Sequence, residues 1–209
     1  MSDNSPSTLI GSIMPRGRNL VQQRAHNSRE RILEAAAHLF AQQGIAGTST
    51  NRIAQQADMS IGLLYRYFAN KEDIAAVLQR RLAKTLERNF TQVVFATITL
   101  EPAEAVAQCL SVITETLSEH SDLVRAFESE GTRVGIFGGV EERLQMLTRT
   151  YLLQHLGPLP DSELEARAFV LATAGLAMSY RIGVATPPGI SQQQLTTVTA
   201  KMLSTLAVP

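Results

Sequence analysis

Apolar residues recur every three to four positions along most of this 209-residue chain, which is the spacing that gives an α-helix one apolar face. Between residues 102 and 119, for example, Val106, Leu110, Ile113 and Leu117 fall on one side of a helix. We find no stretch in which apolar and polar residues alternate, as they do in a half-buried strand. The pattern therefore predicts an all-α protein with about nine helices.

Capping residues and helix breakers predict where these helices begin and end. Ser, Thr, Asn and Asp favour helix N-termini, whereas Gly and Pro favour the positions just after a helix. Three capping boxes are predicted, formed by Asn27 with Glu30, Ser162 with Glu165, and Ser191 with Gln194. We therefore expect helices over residues 28–43, after Ser49, after Ser60, from Asn70 into the 90s, over 102–119, 122–130, 140–156 and 163–182, and from Ser191 to about 206.

Two stretches lack the helical pattern. Residues 1–26 are rich in Ser, Asn, Gly and Pro and contain three arginines, so we expect a disordered basic tail. Such an arm could also enter a DNA minor groove, and the sequence leaves that alternative open. Residues 131–139 contain four glycines and predict an irregular loop, but no Gly-Lys-Ser/Thr follows as in a phosphate-binding loop.

Residues 49–68 carry the most informative pattern, because they predict two short helices joined by a tight turn. Ser49 and Ser60 are placed to cap the two helices. Asp58 lies at the turn, and aspartate tolerates the left-handed backbone that ends a helix better than most residues. This is the shape of a helix-turn-helix, whose second helix can lie in the DNA major groove.

The second of these helices predicts one buried and one outward side. Ile61, Leu64 and Phe68 fall within one sector and should face the core. The remaining residues are left on the outer side or its flanks, and they are Gly62, Leu63, Tyr65, Arg66 and Tyr67. The aromatic residues could instead be core residues of an ordinary helical hairpin, but that alternative does not explain the caps, the turn and the basic residues together.

Five motifs follow one another in this region: RILEAAAHLF at 31–40, QQG at 42–44, TSTNRIA at 48–54, SIGLLYRYF at 60–68 and NKE at 70–72. In this order and spacing they resemble the DNA-binding domain of the tetracycline-repressor (TetR) family, over about residues 27–81. The chain departs from the family pattern at Asp58, where glycine is usual, and at Ile61 and Leu63, where polar residues or threonine are common.

The outward face and the resemblance together assign DNA contacts to twelve residues: Ser49, Thr50, Asn51, Arg52, Ser60, Ile61, Gly62, Leu63, Tyr65, Arg66, Tyr67 and Lys71. The resemblance implies phosphate contacts for Ser49, Thr50, Tyr65, Tyr67 and Lys71, the last at the positive N-terminus of the fourth helix. It places Asn51 and Arg52 near the DNA backbone or a base edge. Ile61 and Leu63 would contact a thymine methyl rather than donate hydrogen bonds. We choose Arg66 as the residue that donates a hydrogen bond to a base, such as guanine.

Charge is divided unevenly along the chain. Residues 1–90 contain 12 Lys and Arg against 7 Asp and Glu, whereas residues 91–209 contain 7 against 12. A basic N-terminal part joined to an acidic body suits a protein that binds double-stranded DNA through one end.

Other features of the sequence exclude several classes of protein. A single cysteine, Cys109, allows no intrachain disulfide and fits a reducing cytoplasm. We expect no signal peptide, and the run between Arg167 and Arg181 is too short for a membrane span. The four histidines are scattered, and no zinc or hydrolase motif is present, so we expect no metal, no cofactor and no enzyme activity.

The resemblance implies a body over residues 72–209 that dimerises and binds a small-molecule effector, joined to a helix-turn-helix domain over residues 27–71. Small residues at helical spacing, predicted as the homodimer interface, are Ala168, Ala172, Gly175 and Ser179; a contact within one chain is the alternative. Residues predicted to line an effector pocket, with ordinary core packing as the alternative, are Cys109, Ile113, Phe127, Tyr151, His155 and Met178.

Three functional hypotheses follow. The first is a homodimeric repressor released from a palindromic operator by a small molecule. The second is a DNA-binding protein of the same fold without such an inducer. The third is a helical enzyme or ligand carrier in which the helix-turn-helix is accidental.

Overall fold

A computed structural model of the chain describes residues 16–128 and 133–208, and within these ranges the regular structure is helical throughout. The helices in chain order are α1 (Arg16–Gln43), α2 (Thr50–Gln56), α3 (Ile61–Tyr65), α4 (Lys71–Ala96), α5 (Pro102–Glu119), α6 (Ser121–Glu128), α7 (Arg133–Leu156), α8 (Asp161–Val184) and α9 (Gln192–Leu203). A 3₁₀ turn over Ser204–Ala207 follows α9. The all-α prediction is therefore confirmed for the described part of the chain. None of these helices is both long and apolar enough to cross a lipid bilayer.

The helix-turn-helix forms through the local signals in its sequence. The Ser49 hydroxyl accepts a hydrogen bond from the backbone N–H of Arg52, and the Ser60 hydroxyl accepts one from Leu63, each at 3.3 Å. Asp58 adopts the left-handed backbone with a φ of 51°. The predicted caps and turn are thus confirmed.

A continuous core joins the helix-turn-helix to the body through α4. Ile53 of α2, Leu64 of α3 and Ile74 of α4 are all fully buried in it. The same cluster continues along α4 through Leu86 and Phe90 and into the body. Because one 26-residue helix belongs to both regions, a change in its angle changes the position of the helix-turn-helix.

The first helix begins earlier than predicted. Residues 16–26 are helical, so the predicted tail does not extend beyond residue 15, and its first fifteen residues lie outside the described part. Asn27 lies within α1 and does not cap it. The physical reason is that extending an existing helix costs far less than starting one, so a polar segment of suitable propensity continues it.

The glycine-rich loop is also largely helical. α7 begins at Arg133 rather than near residue 140, so the loop prediction is wrong for residues 133–139, and residues 129–132 lie outside the described part. Each glycine costs the helix about 1 kcal/mol relative to alanine. Burial of Val140 and Leu144 further along α7 anchors the helix from its tertiary contacts.

Of the other two predicted capping boxes, one is wrong and one is confirmed. Ser162 lies inside α8, and the N-cap residue of this helix is Pro160. The Pro160 carbonyl accepts the N–H groups of Glu163 and Leu164 at 3.0 Å each, and no side chain caps this end of the helix. At α9, the box formed by Ser191 and Gln194 is present.

The stripe of small residues on α8 packs within the chain. Ala168, Ala172, Gly175 and Ser179 are buried, and the Ser179 hydroxyl donates to the Leu110 carbonyl of α5. A Cβ added to Gly183 would lie 2.7 Å from a backbone oxygen of α5, which shows how closely the two helices approach. Because all four residues are buried within one chain, the stripe makes the intrachain contact that the sequence left as the alternative, and the prediction that it is the dimer interface is wrong.

Candidate nucleic-acid interface

The outer side of α3 is open to solvent. Tyr65 is 53% exposed, and Arg66 is exposed beside it. An added Cβ at Gly62 would have no atom within 4 Å, so a phosphate or base edge can approach the backbone there. Leu64 and Phe68 are buried on the opposite side, as the helical spacing predicts.

The rest of the predicted contacts differ in how accessible they are. Ser49, Asn51 and Ser60 are exposed, whereas Ile61 and Leu63 are half-buried at the base of α3. Tyr67 is also half-buried and packs against the core, so it offers less surface than Tyr65. The outer surface of α3 therefore has a solvent-exposed centre and a partly apolar edge.

Side chains of α2 and α3 are connected at this surface. The Thr50 and Tyr65 hydroxyl oxygens lie 3.1 Å apart and share a hydrogen bond. The Arg52 guanidinium donates to the Gln43 side-chain oxygen at 2.6 Å, which holds it across the end of α1. The pairs place hydroxyl and guanidinium donors on one exposed side of the helix-turn-helix, where they can reach phosphate oxygens.

Lys71 has a structural role that the sequence did not indicate. Its ammonium donates to the backbone carbonyls of Ile45, Ala46 and Thr48, at 2.7, 3.2 and 3.0 Å. An ammonium has three N–H donors, and these three contacts use all of them. Lys71 therefore fastens the start of α4 to the α1–α2 loop, and the structure does not support the phosphate contact predicted for it.

Arg31 is a further residue that sequence reasoning missed. Its guanidinium donates to the carbonyl of Ala57 at 2.6 Å and to the carbonyl and carboxylate of Asp58 at 3.3 Å each. It thereby caps the C-terminus of α2 and stabilises the left-handed turn residue. No local motif could have revealed this, because Arg31 lies 26 residues before Ala57 in the chain.

A bidentate ion pair joins α1 to α4 beside the helix-turn-helix. The Arg81 guanidinium donates to both carboxylate oxygens of Glu30, at 2.5 and 2.6 Å. This hydrogen bonding holds the pKa of Glu30 below its usual range and raises that of Arg81. Paired in this way, Arg81 positions α4 and is not free to contact DNA.

A second candidate site is an apolar pocket inside the body. It contains about 510 Å³ of empty space, including the solvent at its mouth. Its walls come from five helices, with Phe90 and Val94 on α4, Cys109 and Ile113 on α5, Tyr151 on α7, Leu176 on α8 and Leu203 on α9.

The structure brings only some of the predicted pocket residues together. Cys109, Ile113 and Tyr151 line the pocket. The other three predicted residues do not line it. Phe127 is fully buried in the core, and Met178 is half-buried elsewhere on α8. His155 lies beside Tyr151 and stacks on its ring.

Two polar groups of the pocket are strongly desolvated. Burial raises the pKa of the Cys109 thiol to about 12 and that of the Tyr151 hydroxyl to about 12. Both groups are therefore neutral near pH 7. In the described part of the chain, no three His, Cys, Asp or Glu side chains come together as metal ligands would.

Similarity to known proteins agrees with this geometry. Residues 32–78 match the family model described as bacterial regulatory proteins, tetR family. The chain is 30% identical over 151 residues to an uncharacterized HTH-type transcriptional regulator of Mycobacterium tuberculosis, covering 71% of this chain and 73% of that protein. It is 34% identical to the HTH-type regulator YuxN of Bacillus subtilis over 48% of this chain, and 38% identical to HbdR of Aromatoleum sp. over 33%. The chain spans only 34% of the length of YuxN and 28% of that of HbdR.

Solved structures share the fold. A tetR-family regulator from Streptomyces coelicolor superposes with a TM-score of 0.67 at 17% identity, covering 87% of this chain and 80% of that one. FadR from Thermus thermophilus, a TetR-family repressor in complex with lauroyl-CoA, gives a TM-score of 0.55 at 23% identity, covering 84% and 92%.

An exposed α3, capped and supported by α1, α2 and α4, defines a helix-turn-helix DNA-binding protein with a helical body. The sequence matches specify the family within this class. The chain belongs to the TetR family of bacterial transcriptional regulators, which are regulators and not enzymes.

Proposed function

We propose that this protein is a homodimeric repressor that binds a palindromic operator and leaves it when a small molecule occupies the pocket in its body. The open outer side of α3 is the observation that carries the DNA-binding part of the proposal. Because the protein acts on chromosomal DNA, we expect it in the bacterial cytoplasm.

Within this proposal, each subunit places α3 in a major groove. Tyr65 and Thr50 supply hydroxyls for phosphates, and the exposed Arg66 reads a base. Gly62 lets the groove come close to the start of α3. Ile61 and Leu63, which are half-buried, add apolar contact to a thymine methyl.

Exposed apolar side chains on α8 and α9 support a dimer. Phe169 and Val170 of α8 are 56% and 45% exposed, and Val198 and Met202 of α9 are 70% and 57% exposed. Exposed apolar groups on two adjacent helices favour a contact with another protein surface. A second copy of the chain is the partner that a two-fold operator requires.

Release of DNA can be explained through α4. Phe90 and Val94, near its C-terminal end, line the pocket, whereas Lys71 fastens its N-terminal end to the helix-turn-helix. A ligand in the pocket would change the angle of α4 and with it the position of α3. For this to cause release, the ligand must bind the released conformation more tightly than the DNA-bound one.

A regulator without a small-molecule inducer is the second candidate. The same interface supports it, but that hypothesis leaves the pocket unused. The two candidates differ in whether any compound that binds the body also dissociates the operator complex.

Fluorescence anisotropy on DNA flanking the gene tests the interface. We expect Tyr65→Ala to weaken binding to all sequences alike, and Arg66→Ala to relax base preference at one position in each half-site. Uniform weakening by Arg66→Ala would contradict the base-reading role, and the absence of any specific complex at moderate salt would contradict the function itself.

Sedimentation velocity tests the dimer. Phe169→Glu should convert the protein to a monomer, because it places a charge in the proposed contact. Leu153→Glu on α7 is a matched control, since Leu153 is also exposed, at 37%, but lies outside the proposed contact. A wild-type monomer at micromolar concentration would contradict the proposal.

A further inference from the structure

The pocket surface is almost entirely apolar. Of the lining side chains Phe90, Val94, Cys109, Ile113, Tyr151 and Leu176, four are hydrocarbons, one is a thiol and one is a phenol. None of the described lining residues carries a charge. A charged group brought into such a pocket would lose its hydration without gaining an ion-pair partner, which costs several kcal/mol. The described surface therefore favours an uncharged occupant.

One residue that lines this pocket has a side-chain hydroxyl without a partner. Tyr151 is 5% exposed, and its hydroxyl makes no hydrogen bond to any described residue of the chain. Buried hydroxyls almost always have a hydrogen-bond partner, because an unsatisfied one has lost its hydration without compensation. An orphaned hydroxyl on a residue that lines an apolar pocket is therefore a donor that a bound molecule can satisfy.

The Tyr151 ring is held in place by a neighbouring aromatic ring. His155 stacks on it with ring centroids 4.0 Å apart. The two His155 ring nitrogens lie 3.1 Å from the Tyr151 carbonyl and 3.2 Å from the Leu100 carbonyl, so the imidazole is itself fixed. A positioned donor loses little freedom when it forms a hydrogen bond, so its interaction contributes to affinity and to selectivity.

We propose that the effector is an uncharged, mainly apolar molecule with a hydrogen-bond acceptor, such as a ketone or ester carbonyl, which accepts from the Tyr151 hydroxyl. This inference rests on the proposed function, in which the pocket is the effector site. Carboxylates and amines of the same size are excluded by the uncharged walls.

Four soluble eight-carbon probes test this chemistry by ligand-observed NMR titration: 2-octanone, ethylbenzene, octanoate and octylammonium. We expect 2-octanone to bind the wild type at least about tenfold more tightly than either ion. Tyr151→Phe should weaken 2-octanone about tenfold, which is the size of one net hydrogen bond, and should leave ethylbenzene within about twofold.

Tyr65→Phe is the matched control, because it removes the same atom from the exposed DNA-binding surface. It should leave the affinity of all four probes unchanged. Near-ultraviolet circular dichroism checks that both variants retain the native packing.

Several outcomes would overturn the inference. It fails if either ion binds as tightly as 2-octanone, if Tyr151→Phe leaves the ketone affinity unchanged, or if no probe binds. If 2-octanone binds through Tyr151 but leaves the operator complex intact, the chemistry stands and the ligand-released repressor fails. Release of the operator by octanoate would support that repressor and contradict the uncharged effector.

Discussion

Replacing Lys71 by methionine distinguishes a fastening role from a phosphate contact. Methionine keeps most of the length and apolar surface of the side chain but removes the ammonium. In the structure, that ammonium donates to three carbonyls of the α1–α2 loop. The variant therefore loses the link between the start of α4 and the loop that precedes α2.

The expected loss of stability follows from these contacts. A hydrogen bond to a charged group contributes about 1.5–3 kcal/mol when buried. Lys71 is half-buried, and water can replace part of its bonding to the carbonyls, so we expect a loss of about 1–2 kcal/mol in all. For a chain of this size, that corresponds to a fall in Tm of about 3–6 °C.

The effect on DNA binding has a different signature for each role. A lysine that contacts phosphate contributes about 0.9 to the slope of log K against log salt concentration, or about 1.8 in a dimer with two such residues. A fastening lysine contributes nothing to this slope, but its loss lowers affinity at every salt concentration because α2 is less well positioned. We expect the second result.

Anisotropy titrations between 50 and 300 mM salt, together with thermal unfolding, measure both quantities. Lys84→Met is the matched control, because it removes a charge from an exposed position further along α4. Its Tm should stay near that of the wild type. A slope that falls by about 1.8 in Lys71→Met, with an unchanged Tm, would refute the fastening role.

Three further results are expected. Cys109 should react with a thiol reagent at pH 8 about a thousandfold more slowly than a cysteine with the ordinary pKa of 9.0, because burial raises its pKa to about 12 and leaves little thiolate. A fast stoichiometric reaction would contradict its burial. A double-mutant cycle between Glu30 and Arg81 should give about 0.5–1 kcal/mol of coupling near pH 7. Because pairing lowers the Glu30 pKa below its ordinary value of 4.5, this coupling should be complete above that value and should be lost as the pH falls below it, and a constant value would contradict the pairing. Gly183→Ala should lower Tm, since its Cβ would approach a backbone oxygen to 2.7 Å, whereas Gly62→Ala should leave Tm near that of the wild type and weaken DNA binding.

Local chemistry in the sequence was enough to predict the helix-turn-helix. Ser49, Ser60 and Asp58 act on backbone groups within three residues of themselves, so their roles are visible without knowledge of the fold. The same holds for the capping box at Ser191. Where a feature depends on neighbouring residues alone, the residue types and their spacing predict it.

Contacts between distant residues could not be predicted in this way. Arg31 and Lys71 each bond to carbonyls more than 20 residues away, and no spacing rule indicates such a pair. The small stripe that includes Gly175 shows the related difficulty, because helical spacing predicts a smooth face but not which helix covers it. In the fold, Gly175 faces α5 and α9 of the same chain, and the exposed apolar residues of α8 lie elsewhere.

The length of α4 explains how a small change in the pocket could release DNA under the proposed function. From Phe90 to Lys71 is nineteen residues, or about 29 Å at 1.5 Å per residue. A tilt of about 5° at the pocket end would move the Lys71 end by about 2.5 Å over that length. Hydrogen bonds to phosphate tolerate changes of only about 0.5 Å in the donor–acceptor distance. The α3 helices of the two subunits must also stay about 34–36 Å apart to meet successive major grooves. A ligand therefore needs to stabilise only a slightly tilted α4, provided that Lys71 and the Glu30–Arg81 pair transmit the tilt to the helix-turn-helix.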